Sequence, residues 1–245
     1  MKTISFFVLL ACVVMFIVEM VRAGGFQPLE QNPMLGPDAL TLARLGAGYG
    51  YRTQQKWEVY RLFAPVFLHG GVFHILGNML FLVMMGIPQE QKWGWRQFSL
   101  ILFVSGIGAS LFSTCIRPNT ISVGASGALF GVLGAGLADL AFHWSAIPDP
   151  SFRRMQLIQQ VMFIIIWMMI SFGSKYIDGW AHLGGLIFGF LLGATLWSPD
   201  SDLHPRIKTL GRPLAAALTI FTLLLMAGLF FGGVIETEQL YKPYY

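Results

Sequence analysis

Residues 122–142 read SVGASGALFGVLGAGLADLAF, a continuous apolar stretch in which Asp139 is the one charged residue. A helix of about 20 apolar residues crosses the hydrocarbon core of a bilayer. Five residues of the stretch are glycine, which weakens a helix but leaves its backbone uncovered, so that a second helix can approach closely. The stretch therefore predicts a membrane-spanning helix with a close helical neighbour.

The whole chain of 245 residues has the composition of a membrane protein, with 55% hydrophobic residues, 11% charged residues and a mean hydropathy of +0.64. Six further apolar runs are about long enough for membrane helices, at residues 4–20, 71–87, 98–115, 157–172, 179–197 and 214–235. The runs are continuous rather than alternating, which argues against the wall of a β-barrel. We expect an all-α, polytopic bundle of seven transmembrane helices.

The first apolar run has two interpretations. Because Lys2 precedes it, the run could be a cleaved signal peptide, but Val21-Arg22-Ala23 is a poor cleavage site and the run is long for a signal core. We therefore expect a retained helix. Residues 21–70 follow it and mix Pro, Gly and charged residues with Trp57 and Tyr60, which predicts a loop lying partly in the bilayer interface.

The net charge of +4 and the pI of about 9.2 do not indicate a nucleic-acid-binding protein, because the basic residues are scattered between the apolar runs. With a cytosolic N-terminus, the short cytosolic segments contain eight Lys and Arg residues and the short outer segments contain three. The long first loop contains five further Lys and Arg residues on the outer side, which makes the two sides equal at eight each. The two cysteines, Cys12 and Cys115, predict neither a disulfide nor a thiolate metal site, and we expect no metal and no cofactor.

Four polar residues lie within the apolar runs near the starts of the second, fourth and sixth. His74 and Asn78 are four residues apart and share one helical face, while Ser126 and His182 lie near the starts of their own runs. Each residue alone is more typical of helix packing or of a hydrogen bond between helices. Because successive helices alternate in direction, however, all four residues are expected at one depth of the membrane.

A hydroxyl, an imidazole and side-chain donors at a common depth are the groups that acyl transfer needs: nucleophile, general base and donors to an oxyanion. Ala181, Gly185, Gly189 and Gly193 recur every four residues and predict a smooth groove for a partner helix. The groove would bring Ser126 close to His182.

These residues resemble the motifs of the rhomboid family of intramembrane serine proteases. GASG at residues 124–127 is similar to the nucleophile motif GxSG, AHLGGLIFG at residues 181–189 to AHxxG, and HGGVFHILGNM at residues 69–79 to HxxxxHxxxN. YRLFAPVFLHGG resembles the Trp-Arg loop of the family, with Tyr60 where tryptophan is usual, and Glu90 and Gly94 fit the pattern after the second helix. The match covers most of the chain.

The resemblance implies a six-helix catalytic core at residues 1–198, followed by a linker, a seventh helix and a short tail at residues 199–245. It implies Ser126 as nucleophile, His182 as base, and His74, Asn78 and the backbone N–H of Ser126 as oxyanion donors. Phe130 would stack on the catalytic imidazole. Structural roles near the site would fall to Gly124, Gly127, Gly185, His69, Arg61 and Glu90.

Two acidic residues, Asp178 and Asp139, are candidates for the third member of a triad. Asp178 is four residues before His182, but it also precedes a helix, so we favour a helix-capping role over a catalytic triad. Asp139 is about 20 Å beyond Ser126 along the helix and is too far to orient the base. Glu19 is expected to reach the interface at the end of the first helix. A Ser-His dyad, with His182 held by packing, is the prediction.

The resemblance implies an endopeptidase that cleaves single-span membrane proteins near the outer membrane face, with the lipid bilayer and transmembrane substrates as its partners. The first alternative is a non-proteolytic rhomboid-like protein that binds membrane clients, and such proteins usually lack the Ser or the His. The second is a transporter or channel, which predicts charged residues at the membrane midplane. The chain shows no Arg-rich amphipathic presequence, so the secretory pathway, the plasma membrane or a bacterial inner membrane is expected rather than mitochondria.

Overall fold

The computed structural model describes residues 3–197, 205–233, 235 and 237, with the side chains of residues 205–210 left out. In these residues the chain is helical and forms no strand; one isolated antiparallel bridge pairs Gly48 with Ser122. The all-α prediction is thus confirmed. The α-helices are α1 (Ile4–Ala23), α2 (Ala39–Leu45), α3 (Gly50–Gln55), α4 (Val72–Phe81), α5 (Ile87–Ile116), α6 (Ser126–Phe142), α7 (Pro150–Gly173), α8 (Gly179–Trp197) and α9 (Pro205–Phe231).

Seven membrane-spanning segments follow from these helices. Four helices, α1, α7, α8 and the part of α9 from Gly211 to Phe231, are long and apolar enough to cross a membrane. A fifth continuous segment, Val72–Ile116, has 45 residues and joins α4 to α5 through a short π-helical stretch at Leu82–Gly86. Its length of about 68 Å is twice the bilayer core. Gly94, with φ of 79° and ψ of 158°, breaks it into two spans, and α6 supplies the seventh.

Helix α6 lies at the centre of the bundle. Most of its residues are buried on every side, which is typical of a helix that is apolar all round. It packs between α5 and α8. In contrast, α7 has only one buried residue, Ser171, and its long apolar side chains face outward. The bundle therefore has a buried central helix, α6, and a peripheral helix, α7, whose outer face is available to lipid.

The start of α6 differs from the predicted run, which began at Ser122. Residues 122–125 are not helical, because Ser122 exchanges backbone hydrogen bonds with Gly48 at 2.8 and 3.0 Å. Gly124 then takes a φ of 121°, a conformation that glycine adopts readily and other residues avoid. Ser126 is consequently the first residue of the helix.

The first loop folds around Arg61, whose side chain is fully buried. Its guanidinium donates to Glu58 at 2.5 Å and to the carbonyl oxygens of Ala43 and Ala47 at 2.7 and 2.9 Å. Since a buried cation is costly without partners, these bonds hold α2 against the turn that contains Arg61. Trp57 and Tyr60 remain exposed, as expected for residues at the bilayer interface.

The expectation for Glu19 was wrong. Its side chain is fully buried rather than at the interface, and its carboxylate accepts from the backbone N–H of His69 at 3.1 Å. The reason is that α1 continues to Ala23, three residues beyond the predicted end at Met20. Glu19 therefore lies inside the last turns of the helix, where the end of the first loop covers it.

The last helix is longer than its apolar run predicted, since it begins at Pro205 rather than at residue 214 and ends at Phe231. The amide of Gln54 donates to the carbonyl oxygens of Phe230 and Ile235, which joins the C-terminal end of α9 to the first loop. The predicted domain boundary after residue 198 lies outside the described residues, and the predicted linker belongs to α9 from Pro205 onward.

Glu90 fixes the beginning of α1. Its carboxylate accepts from the backbone N–H groups of Ile4 and Ser5 at 2.7 and 2.9 Å and from the hydroxyl of Ser5 at 2.6 Å. The first N–H groups of a helix have no partner within the helix, so this carboxylate satisfies two of them.

We expect Glu90→Ala to lower the free energy of unfolding by about 2–3 kcal/mol, because it removes a charged acceptor from three buried or part-buried donors. The measurement is the thermal melting temperature of the purified protein in detergent. Glu30→Ala, at an exposed carboxylate of the first loop, is the control and should leave the melting temperature unchanged. Equal melting of the two variants would contradict this account of α1.

Candidate active site

Ser126 lies at the N-terminus of α6, half-buried, at the end of the bundle where the first loop meets the starts of α4, α6 and α8. The N–H groups of the first helical turn have no acceptor within the helix and carry partial positive charge. The backbone N–H of Ser126 belongs to this turn. The residue thus presents a hydroxyl and a backbone donor at the same place.

Glycines bring α6 and α8 into backbone contact directly below Ser126. A β-carbon on Gly185 would overlap the carbonyl oxygen of Gly127, and one on Gly189 would overlap that of Gly131. A β-carbon on Gly127 would lie 3.4 Å from the carbonyl oxygen of Ala181. Because Gly127 follows Ser126 and Ala181 precedes His182, the two side chains extend from neighbouring positions on touching helices.

His182 is buried between two groups. The ring of Phe130, one turn after Ser126, is stacked on the imidazole with centroids 4.2 Å apart and planes inclined by 11°. The Nδ1 atom of His182 lies 2.7 Å from the hydroxyl of Ser171 on α7. The stacking restricts the ring plane, and the hydrogen bond restricts rotation within that plane.

The hydroxyl of Ser126 has no hydrogen-bond partner in the part of the chain that the structure describes, and so no bond to His182 is formed. Such bonds between nucleophile and base are often long in unliganded enzymes and shorten when substrate binds. The structure therefore brings the two helices together and leaves the last approach of the side chains open.

His74 and Asn78 converge on Gly124, two residues before Ser126. A β-carbon at Gly124 would lie 2.6 Å from His74 Nε2 and 3.3 Å from Asn78 Nδ2. The backbone N–H of Gly70 donates to His74 Nδ1 at 3.3 Å, which leaves the proton of the neutral ring on Nε2. Both side chains thus direct an N–H group to the same side of Gly124.

Asn78 is notable because its amide nitrogen is buried and has no hydrogen-bond partner. A buried donor without an acceptor costs about 1–3 kcal/mol, so it needs a functional or structural reason. An oxygen atom of a bound ligand next to Gly124 would satisfy it.

A cavity of about 470 Å³ opens at this end of the bundle. Ser126, His74 and Asp178 line it together with residues of the first loop, such as Asn32 and Met34. The site is therefore a polar recess between the helix ends and the loop, rather than a closed core.

Asp178 caps α8, as we favoured from the sequence. One carboxylate oxygen accepts from the backbone N–H of Ala181 at 3.1 Å, and the other accepts from the hydroxyls of Ser113 and Ser122 at 2.5 and 2.6 Å. Neither oxygen bonds to His182. The carboxylate of Asp139 also has partners of its own at the far end of α6, namely Lys92, Trp93 and His143.

His69 supports the site from the end of the first loop. Burial lowers the pKa of His69 to about 3, so the ring is neutral at physiological pH. Its backbone N–H donates to Glu19, and its ring meets that of His74 edge to face at 5.3 Å. The ring of His74 therefore packs against a neutral neighbour.

Sequence reasoning missed Ser171. A single serine in an apolar run carries no periodicity or spacing signal, and small polar residues are common in membrane helices. Its contact with His182 depends on the rotation of α7 about its own axis relative to α8, which only the three-dimensional structure shows.

We expect Gly185→Leu to destabilise the bundle by at least about 1–3 kcal/mol, because the new side chain must displace the backbone of α6. The melting temperature in detergent measures this. Gly228→Leu on α9 is the control, since a β-carbon there meets no atom within 4 Å. An unchanged melting temperature of Gly185→Leu would argue against the close contact.

Comparison with known proteins shows the family of the chain. The family model "Rhomboid domain" matches residues 56–199. RHOMBOID-like protein 1 of Arabidopsis thaliana is 38% identical over 223 residues, covering 86% of this chain and 56% of the relative. Rhomboid-like protease 2 of Toxoplasma gondii is 34% identical over 178 residues, covering 72% of this chain and 61% of the relative.

One relative, the inactive RHOMBOID-like protein 8 of Arabidopsis thaliana, is 36% identical over 162 residues, covering 66% of this chain and 45% of the relative. Another Arabidopsis relative is named mitochondrial. The chain spans about half the length of the curated relatives it matches. By the extent of the family match and by these identities, the chain belongs to the rhomboid family.

Proposed function

We propose that this protein is an intramembrane serine endopeptidase, with Ser126 as nucleophile and His182 as general base. The observation that carries the proposal is the backbone contact between Gly127 and Gly185, which brings together the starts of the two helices that carry Ser126 and His182, with Ser126 lining the cavity. The name of the Toxoplasma gondii relative as a protease supports the same activity.

In the first step, the hydroxyl of Ser126 attacks the carbonyl carbon of a peptide bond and gives its proton to Nε2 of His182. The carbonyl oxygen becomes an oxyanion. Nε2–H of His74, Nδ2–H of Asn78 and the backbone N–H of Ser126 are the donors for this oxygen. The convergence of the two side-chain donors on Gly124 supports this assignment.

Collapse of the tetrahedral intermediate breaks the C–N bond, and the imidazolium of His182 protonates the leaving amine. The acyl group stays on Ser126. A water molecule then gives a proton to His182 and attacks the ester carbon. As the C–Oγ bond breaks, the imidazolium returns the proton to Oγ of Ser126 and the second product leaves as a carboxylic acid. The polar lining of the cavity supports the entry of water at this point.

Single-span membrane proteins are the proposed substrates. A transmembrane helix hides its carbonyl groups in its own hydrogen bonds, so a short stretch of substrate must unwind before attack. We expect Gly, Pro or other small residues near the cleaved bond. The cavity lies at the first-loop end of the bundle, and a cytosolic N-terminus places that end at the outer membrane face.

The secretory pathway or the plasma membrane is the proposed compartment. Lys2 followed by the apolar helix α1 is typical of a signal-anchor sequence, which supports this assignment. Microscopy of a fluorescent fusion tests it, and mitochondrial fluorescence, as the name of one relative suggests for that protein, would contradict it.

A relative named inactive favours a second candidate, a non-proteolytic protein that binds membrane clients. Activity-based labelling separates the two candidates. We expect a fluorophosphonate probe to label the wild-type protein. Ser126→Ala should lose the label at the wild-type melting temperature, and His182→Ala should lose it while remaining folded, at a lower melting temperature because the buried ring is removed. Absence of labelling in well-folded wild-type protein would favour the client-binding candidate.

Asn78 gives a sharper test of the oxyanion donors. Because its amide nitrogen has no partner, Asn78→Leu should not lower the melting temperature, yet kcat should fall by about 10²–10³. The measurement is steady-state cleavage of a transmembrane peptide in proteoliposomes. If kcat stays near the wild-type value, Asn78 is not an oxyanion donor.

A further inference from the structure

Ser171 is the one buried residue in α7, the helix that otherwise faces outward. A hydroxyl in this setting is expensive unless it makes hydrogen bonds. It makes two: Oγ lies 2.5 Å from the carbonyl oxygen of Trp167 and 2.7 Å from Nδ1 of His182. The one fully buried residue of α7 therefore contacts the imidazole of the candidate base.

The two bonds of Ser171 have a definite direction. A carbonyl oxygen has no proton, so the hydroxyl must donate to Trp167. The lone pairs of Oγ then remain for His182, and Nδ1 must be the donor. A neutral imidazole with its proton on Nδ1 has an unprotonated Nε2, which is the form that a general base requires.

No other described side chain does this for His182. Both oxygens of Asp178 accept from Ala181, Ser113 and Ser122 instead. Phe130 stacks on the ring face, which restricts the plane but does not select a tautomer.

We propose that Ser171 is a positioning residue that holds His182 in the Nδ1–H tautomer with Nε2 directed to Ser126. This inference rests on the proposed function and deepens it. Ser171 acts through His182 and touches neither substrate nor the reacting atoms. In this account the hydroxyl takes the place that a carboxylate occupies in a Ser-His-Asp triad, with a neutral group as the acceptor.

Threonine and valine at position 171 give a matched pair, because they have nearly the same shape and only threonine has the hydroxyl. We expect Ser171→Val to lower kcat for a transmembrane peptide about tenfold, with KM unchanged. Ser171→Thr should stay within about twofold of wild type. Ser99→Val is the control, since Ser99 makes the same type of bond to Trp95, but in an exposed setting near the start of α5 rather than beside His182.

Equal kcat for Ser171→Val and Ser171→Thr, or a rise in KM alone, would overturn the proposal. A second measurement does not depend on activity. In ¹⁵N-histidine NMR of the full-length protein, the His182 ring should carry its proton on Nδ1 in the wild type and in Ser171→Thr, with the signals assigned by their loss in His182→Ala. Ser171→Val should lose this preference.

The two measurements separate the possible failures. If Ser171→Val loses the Nδ1–H preference but the wild type shows no labelling that depends on Ser126, the protease proposal is rejected and the hydrogen bond between Ser171 and His182 stands. If the labelling depends on Ser126 but His182 of the wild type carries its proton on Nε2, the protease proposal stands and the positioning role of Ser171 is rejected.

Discussion

The contact between bare backbones of α6 and α8 is the constraint on which the candidate site depends. Gly127 and Gly131 on α6 meet Gly185 and Gly189 on α8, and a single β-carbon at either position of α8 would overlap a carbonyl oxygen. In lipid there is little hydrophobic force between helices, so close van der Waals packing has to hold them. The same packing brings together the starts of the two helices that carry Ser126 and His182.

The polar groups of the bundle divide into those whose hydrogen bonds hold the helices and the first loop together and those that remain available. Asp178 caps α8 and binds two serines, Arg61 organises the first loop, and Glu90 caps α1. Among the described residues the hydroxyl of Ser126 makes no hydrogen bond, and the buried amide nitrogen of Asn78 has no partner. Arg61 Nη2 and His69 Nε2 also lack a partner, but both side chains bond through their other nitrogens. This contrast is the physical reason to regard the cavity, rather than the buried ion pairs, as the reactive place.

The bundle was predictable because lipid demands long apolar helices, and the glycine spacing of α6 and α8 is visible in the sequence. The start of α6 at Ser126 was not, because it depends on the pairing of Ser122 with the distant Gly48. The burial of Glu19 and the contact of Ser171 with His182 depend in the same way on tertiary packing. The position of a serine in an apolar run does not indicate which neighbouring side chain its hydroxyl contacts.

The most direct test of the central claim is a structure of the protein after reaction with a fluorophosphonate, which mimics the tetrahedral intermediate. The account predicts a bond from phosphorus to Oγ of Ser126, a phosphonyl oxygen within hydrogen-bond distance of His74 and Asn78, and Nε2 of His182 beside Oγ. A Ser126 adduct with His182 turned away, or with α6 and α8 separated at Gly127 and Gly185, would contradict it.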